Sequence, residues 1–231
     1  MKQIAYFLLI ALFFSSCQQE DGNVLTTLLN QNKDKFGDIL KNPAQYEVQI
    51  LYTQIDRDSF DTPTFTSFTY NIDTLKYFYP ASLVNMPTSF LALEKLNLLY
   101  KHKGLLVTKD MQTITDSIRP PQTPVSYDNS APNNIPTIGN YIKNSLVFNN
   151  SNAFNRLYEF VGQPYINNTL KGRGFKDTRI IHRLDAPQFS LEQNKYTNPV
   201  TITDNDSITY VQKEIYGFGG TVVNVHSTLK G

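Results

Sequence analysis

The feature that most constrains the fold is a long apolar stretch, residues 77–97, which reads YFYPASLVNMPTSFLALEKLN. After the Pro80-Ala81-Ser82 turn, apolar residues fall on nearly every side of a helical wheel. Because a helix that is apolar nearly all round is a buried helix, the stretch predicts a buried central helix. Pro87 lies in its first turns, where a missing backbone donor is tolerated, and predicts an irregular opening turn.

Ser82 stands where this helix is expected to begin. The free N–H groups and positive dipole end of a helix N-terminus stabilise a developing oxyanion, so a nucleophilic serine fits this place. Serine is also a common helix N-cap, and the spacing by itself favours that simpler role. Both interpretations stay open at this point.

Composition narrows the class of protein. The chain has 231 residues, of which 40% are hydrophobic and 13% aromatic, enough for one large domain or two small ones. Its formal charge is +1, and no cluster of Lys and Arg interrupts that balance. Such a chain lacks the basic footprint of a nucleic-acid-binding protein, so we expect no nucleic-acid partner.

The only cysteine, Cys17, follows a segment typical of an export signal. Lys2 is its charged start, and residues 4–14 form an apolar run that is too short to span a bilayer. The ending Phe14-Ser15-Ser16-Cys17 resembles a bacterial lipobox, which implies lipidation of Cys17 and a membrane attachment through the lipid. We therefore expect a signal peptide over 1–17, a mature domain over 18–231, and a location in the cell envelope, at the outer membrane by analogy because Gln18 is not aspartate. The alternative is an ordinary secretory signal with an incidental cysteine.

Hydrophobic spacing and turn residues predict the order of the other elements. An amphipathic helix is expected over 24–40, followed by a hairpin of two strands over 46–55 and 64–72. Three helices are expected after the central one, over 138–148, 153–161 and 164–171, with Gly162 as a stop signal between the last two. A second hairpin is expected within 199–212. Strands and helices that are segregated in this way indicate an α+β fold.

The sequence contains no motif typical of a metal-binding site or of a phosphate-binding loop. The three histidines, His102, His182 and His226, have no metal-ligand spacing, and the glycines at 217–220 lack the context of a phosphate loop. We expect no cofactor and no metal site. The many Asn and Tyr residues fit either a carbohydrate- or peptidoglycan-binding surface or simply a solvated one.

Three stretches in order, 77–97, 149–162 and 178–185, resemble the class A type of serine β-lactamases and their penicillin-binding relatives, and most closely a lipoprotein branch from Bacteroidetes-like bacteria. The resemblance is carried by the segments YFYPAS, FLALEKLN and AFNRLYEFVG. It implies an antiparallel sheet with an all-helical subdomain. It also implies acyl-enzyme chemistry on a β-lactam, or on a D-alanyl peptide derived from peptidoglycan, with Ser82 as the nucleophile.

The motifs depart from the family pattern at several positions. Asn85 stands where the family has the lysine of its first motif, and asparagine cannot accept a proton. Asn149 and Ser151 stand at the outer positions of the second motif, so its serine is missing at Asn149. Asp185 follows Asn149 by 36 residues (185 − 149), the family distance for the base that activates the deacylating water. An ion pair of Asp185 with Arg183 or Arg179 is an equally good explanation of that residue.

No lysine-containing third motif follows Asp185, and the resemblance implies that the C-terminal strands of the domain are lacking. The expected function is therefore that of a serine hydrolase at family level, with little or no hydrolysis. The alternatives are a non-catalytic lipid-anchored protein that binds the cell wall and a truncated gene product.

Overall fold

A computed structural model describes residues 23–205 and 207–217. Cys17, Gly219, Gly220 and His226, on which parts of the sequence analysis rest, lie outside these residues. The chain divides into two compact units, with the boundary between Tyr77 and Phe78. Within the described residues no helix has both the length and the apolar character needed to cross a membrane.

The first unit begins with two short helices, α1 (Val24–Gln31) and α2 (Lys33–Lys41). The prediction of a single helix over 24–40 is therefore wrong in one respect, because Asn32 interrupts the helix and divides it into two. Asn32 leaves helical geometry, with ψ at 33°, and its side-chain amide donates to the carbonyl of Leu28 at 2.8 Å. This local bond competes with the helical backbone bonds and explains the break.

The first predicted hairpin is confirmed as strands β1 (Ile50–Arg57) and β2 (Pro63–Tyr70), which pair antiparallel from Ile50 opposite Tyr70 to Arg57 opposite Pro63. The connecting turn is built on Asp58, whose Oδ1 accepts from the backbone N–H groups of Phe60 and Thr62 at 2.9 Å each. These bonds favour the ionised carboxylate and hold the pKa of Asp58 below its ordinary value.

The second unit begins with a 3₁₀ turn, Ala81–Val84, that leads into helix α3 (Asn85–Lys103), so the irregular opening is confirmed. The prediction that this helix is buried nearly all round is wrong. Leu83, Met86 and Phe90 are more than half exposed, whereas Leu91, Leu96 and Leu99 are in the core. The difference arises because α3 also turns polar residues toward its neighbours, namely Asn85, Thr88 and Ser89, all of which are buried.

Helix α5 (Ser151–Val161) is the centre of the core. It packs between α3, helix α4 (Ile138–Val147) and helix α6 (Gln163–Gly172), all of which the sequence analysis placed in these regions. Gly162, with φ at +87°, separates α5 from α6 as predicted. The side chains of α5 with zero exposure include four large apolar ones (Phe154, Leu157, Phe160 and Val161), each of which contributes about 1.5–3 kcal/mol by its burial.

A three-stranded antiparallel sheet closes the second unit, in the order β3 (Gln112–Thr115), β4 (Val200–Asp204), β5 (Ser207–Gln212). Strands β4 and β5 confirm the second predicted hairpin. Val200 and Ile202 of β4 are almost completely buried and belong to the core cluster. Together with the helices, the two antiparallel sheets confirm the α+β class.

Candidate active site

Ser82 lies in the 3₁₀ turn just before α3 and is half-buried. It is not an N-cap, because Val84 occupies the cap position of α3 and no side chain bonds the first free N–H groups. The Ser82 hydroxyl makes no hydrogen bond within the described residues, and its carbonyl accepts from the N–H of Asn85. The simpler of the two sequence interpretations, that Ser82 is the N-cap of this helix, is thus wrong.

The backbone is strained at the residue before Ser82. Ala81 has φ at +46°, in the left-handed region where a residue with a Cβ atom costs about 1–2 kcal/mol. Strain of this kind persists only where surrounding structure imposes it, and it concentrates at functional sites. No signal of this strain is visible in the sequence, because alanine is not a residue that marks left-handed geometry.

Asn85 connects the first motif to the second. It is only 4% exposed, and its Nδ2 donates to the carbonyl of Ser145 at 2.9 Å and to Oδ1 of Asn149 at 3.2 Å. Its own Oδ1 is buried without a partner within the described residues. The structure thus brings together the two positions where the family resemblance expects a lysine and a serine, but an amide stands at each.

The turn between α4 and α5 holds the other second-motif residues. Asn149 has φ at +52°, and Asn150 caps α5, because its Oδ1 accepts from the N–H of Ala153 at 3.0 Å. Ser151 is the first residue of α5, is half-buried, and its hydroxyl makes no hydrogen bond within the described part of the chain. The polar residues of this turn shape the loop and start the helix.

Asp185 is exposed, with φ at +47°, and makes no ion pair with any described residue. The alternative explanation of Asp185, a pair with Arg183 or Arg179, is therefore wrong. Arg183 is buried and forms its ion pair with Glu159. Arg179 donates to the backbone carbonyls of Lys176 and Thr178.

The segment before Asp185 lies beside the turn that carries Ser82. The ring of His182 stacks on the ring of Tyr79, with 6.1 Å between centroids and 19° between planes. Tyr79 precedes Ser82 by three residues, which bounds their Cα separation to about 11 Å. The structure thus places the 182–185 segment on the Ser82 side of the molecule.

Glu159 is a residue that the sequence analysis missed. It lies on α5 with no exposed surface, and its Oε1 accepts from Nε of Arg183 at 2.7 Å and from Nη2 of Arg156 at 2.8 Å. Complete burial raises the pKa of the Glu159 carboxyl, whereas the two guanidinium groups beside it lower that pKa. One signal was present in the sequence, since Asn155 and Glu159 are spaced four apart and so share a face of the helix.

Across residues 23–205 and 207–217, no group of three or more His, Cys, Asp or Glu side chains is placed to hold a metal ion.

Comparison with known proteins gives one match. A model of the β-lactamase enzyme family matches residues 31–224, which is most of the chain and includes every site position from Ser82 to Asp185. No curated protein and no solved structure matches.

Proposed function

The chain belongs to the β-lactamase enzyme family, and on that premise we propose that Ser82 marks a ligand site for a β-lactam or a D-alanyl peptide at which acyl transfer is impaired. The family membership confirms the resemblance to serine β-lactamases and their penicillin-binding relatives, together with the β-lactamase-like α+β fold, whereas the lipoprotein branch stays a prediction. The observation that carries the proposal is the state of Asn85, a neutral buried amide whose two N–H bonds are already made to Ser145 and Asn149.

Acyl transfer at a serine requires two proton movements. The Oγ atom attacks the carbonyl carbon while its proton leaves, and a proton is then delivered to the departing nitrogen. An amide at position 85 cannot take the first proton, and an amide at position 149 has no hydroxyl with which to pass on the second. Loss of members of a catalytic unit typically costs several orders of magnitude in kcat.

What remains supports recognition of a ligand. The strained backbone at Ala81, together with a Ser82 hydroxyl that makes no hydrogen bond to any described residue, is what a turn carrying a nucleophile would be expected to show. This combination favours a protein that binds a β-lactam or a cell-wall peptide without turning it over efficiently. It therefore also supports the non-catalytic role at the cell wall as the second candidate function.

The deciding assay follows hydrolysis of a chromogenic cephalosporin by the full chain, with Ser82→Ala as the matched variant. We expect the two rates to be nearly equal. Turnover by the unsubstituted protein well above that of Ser82→Ala would refute the proposed impairment. Retention on purified peptidoglycan, lost in Ser82→Ala, is the result expected if the site binds a cell-wall peptide.

A gain-of-function variant tests the reason for the impairment. The double change Asn85→Lys with Asn149→Ser returns both proton-transferring groups, and such groups contribute about 10²- to 10⁴-fold to rate. We expect faster acylation by the cephalosporin than in the unsubstituted chain, measured by intact-protein mass spectrometry. The same double change in a Ser82→Ala background is the control and should form no adduct.

Anchoring through Cys17 is part of the proposed function and is supported by the sequence of residues 1–17. We expect that expression in a Gram-negative bacterium with an alkyne fatty acid labels the protein, and that Cys17→Ser abolishes the label. Equal labelling of both proteins would refute the anchor.

A further inference from the structure

One face of helix α5 is hydrogen-bonded to a segment that lies far along the chain, residues 183–198. The side chain of Asn155 makes two reciprocal bonds with Leu184, donating to its carbonyl at 2.9 Å and accepting from its N–H at 2.8 Å. The hydroxyl of Tyr158 donates to the carbonyl of Asn194 at 2.9 Å. One turn of α5 therefore holds the segment 183–198 at two places, Leu184 and Asn194.

Arg183, the first residue of this segment, bonds to α5 and also to the far end of the segment. Beyond its bond to Glu159, its Nη2 donates to Oδ1 of Asn198 and to the carbonyl of Tyr196, each at 3.1 Å. Its guanidinium also lies 4.1 Å from the ring centroid of Phe189. Because the arginine contacts both the helix and the far part of its own segment, it sets the path of the backbone between them.

His182 connects this segment to Tyr79, which lies shortly before Ser82. Nδ1 of His182 lies 2.6 Å from the carbonyl oxygen of Arg183, which fixes the ring with Nδ1 as the donor. The ring so oriented stacks on Tyr79, three residues before Ser82. Glu159, Arg183, His182 and Tyr79 form a continuous chain of contacts that runs from the core to a residue three positions before Ser82.

We propose that the buried Glu159–Arg183 pair is a positioning element of the Ser82 site, which holds the 182–185 segment against the Tyr79–Ser82 turn so that a ligand meets a preformed wall. The proposal rests on the proposed function in one respect, that Ser82 is where the ligand binds. A purely structural pair would stabilise the fold and leave the geometry at Tyr79 unchanged when replaced by apolar side chains.

The test uses that distinction. Replacing a buried ion pair by apolar residues of similar size is often neutral for stability, so Glu159→Met with Arg183→Met should fold and melt close to the unsubstituted chain. The readout is the NMR signal of the His182 ring C–H, which the Tyr79 ring shifts. Tyr79→Leu supplies the position of that signal when the stack is lost, and His182→Asn assigns it.

We expect the signal of the double Met variant to move to the position seen in Tyr79→Leu. The matched control is Glu94→Met with Arg173→Met, which removes a solvent-exposed ion pair of the same type and should leave the signal in place. An unmoved signal in the folded double Met variant would overturn the proposal. Should that variant not fold, Arg183→Lys takes its place, since it retains the charge but loses the guanidinium group that reaches Asn198 and Tyr196. A His182 signal that moves in Arg183→Lys supports the proposal, and one that stays in place overturns it.

Ligand binding is measured separately, as the rise in melting temperature caused by benzylpenicillin. We expect the double Met variant to require more benzylpenicillin for the same rise, by up to about 100-fold, since a misplacement of about 1 Å can cost that much. An unchanged requirement would overturn the proposal even if the signal moves. If benzylpenicillin stabilises neither the unsubstituted chain nor the variant, the proposed function fails for this ligand class, while the His182 signal alone still decides whether the pair positions the segment.

Discussion

Lys95 offers a test of how the helices of the second unit are joined. It lies on α3, and its ammonium donates to Oε1 of Gln212 at 2.6 Å and to the carbonyl of Phe160 at 2.5 Å, with the Val161 carbonyl at 3.4 Å. It thus connects α3 to the C-terminal end of α5 and to β5, where the negative end of the helix dipole favours a cation. Burial lowers the pKa of Lys95 to about 7 from 10.5, and the charge of Lys103 adds to this shift.

The sign of the pH effect follows from proton binding. Between pH 7 and 10.5 the unfolded chain keeps the proton on Lys95 while the folded chain releases it, so the free energy of unfolding rises with pH in this window. Each pH unit is worth about 1.36 kcal/mol, so the full difference of 3.5 units (10.5 − 7) corresponds to an upper bound of about 5 kcal/mol. Below pH 7 both states carry the proton and this contribution is flat. Burial also raises the pKa of Tyr141 and of Tyr158, which reverses the trend only in strong alkali, where unfolded tyrosines ionise.

The assay is urea unfolding followed by circular dichroism at pH values between 6 and 9.5, since four of the six described α-helices lie in the second unit. We expect a gain of about 3 kcal/mol between pH 7 and 9.5, and its loss in Lys95→Met. Lys101→Met, an exposed lysine on the same helix, is the control and should keep the gain. A flat profile in the unsubstituted chain would refute the reasoning and mean that the carbonyl acceptors hold the ammonium charged.

Three further substitutions have expected effects on the free energy of unfolding, each measured by urea unfolding. Arg183→Met alone should cost about 3–5 kcal/mol, because the fully buried Glu159 loses one of its two arginine partners and keeps only Arg156, and a cost near zero would contradict the burial of this charge. Gly162→Ala should cost more than Gly104→Ala, since both have positive φ but only at Gly162 would the new Cβ lie 2.9 Å from Ile215; equal costs would contradict that contact. Asn150→Ala should cost about 1 kcal/mol through loss of the α5 cap, whereas Ser151→Ala should cost almost nothing.

Much of the local structure could be predicted from the sequence. Both hairpins, the helix that follows Ser82, and the boundary at Gly162 depend on turn residues and periodicity within a few positions, which are visible in the chain itself. Strand β3 was not predicted, because its four residues carry little periodicity and their partner strand β4 lies far away along the chain. The break at Asn32 was missed because a side-chain bond to the backbone overrode an unbroken apolar pattern.

The candidate site divides in the same way. Ser82, Asn85 and Asn149 were identified from their flanking residues, and the roles proposed for Ser82, Asn149, Ser151 and Asp185 stay predictions. The bond between Asn85 and Asn149 joins residues 64 apart, and the one from Asn85 to the Ser145 carbonyl joins residues 60 apart. No local pattern reports such a pairing, and Glu159 was hidden for the same reason, since its partner Arg183 is 24 residues away.

The sequence by itself determined the α+β class, the family, and the chemical groups that are missing from the motifs, because these depend on residue type and near spacing. Only the tertiary structure decided which face of α3 is buried and that the side-chain N–H groups of Asn85 are already hydrogen-bonded. It also decided that Arg183 forms its ion pair with Glu159 and not with Asp185. The physical reason is that burial and hydrogen-bond partners are properties of packed surfaces, and these surfaces form only when distant segments meet.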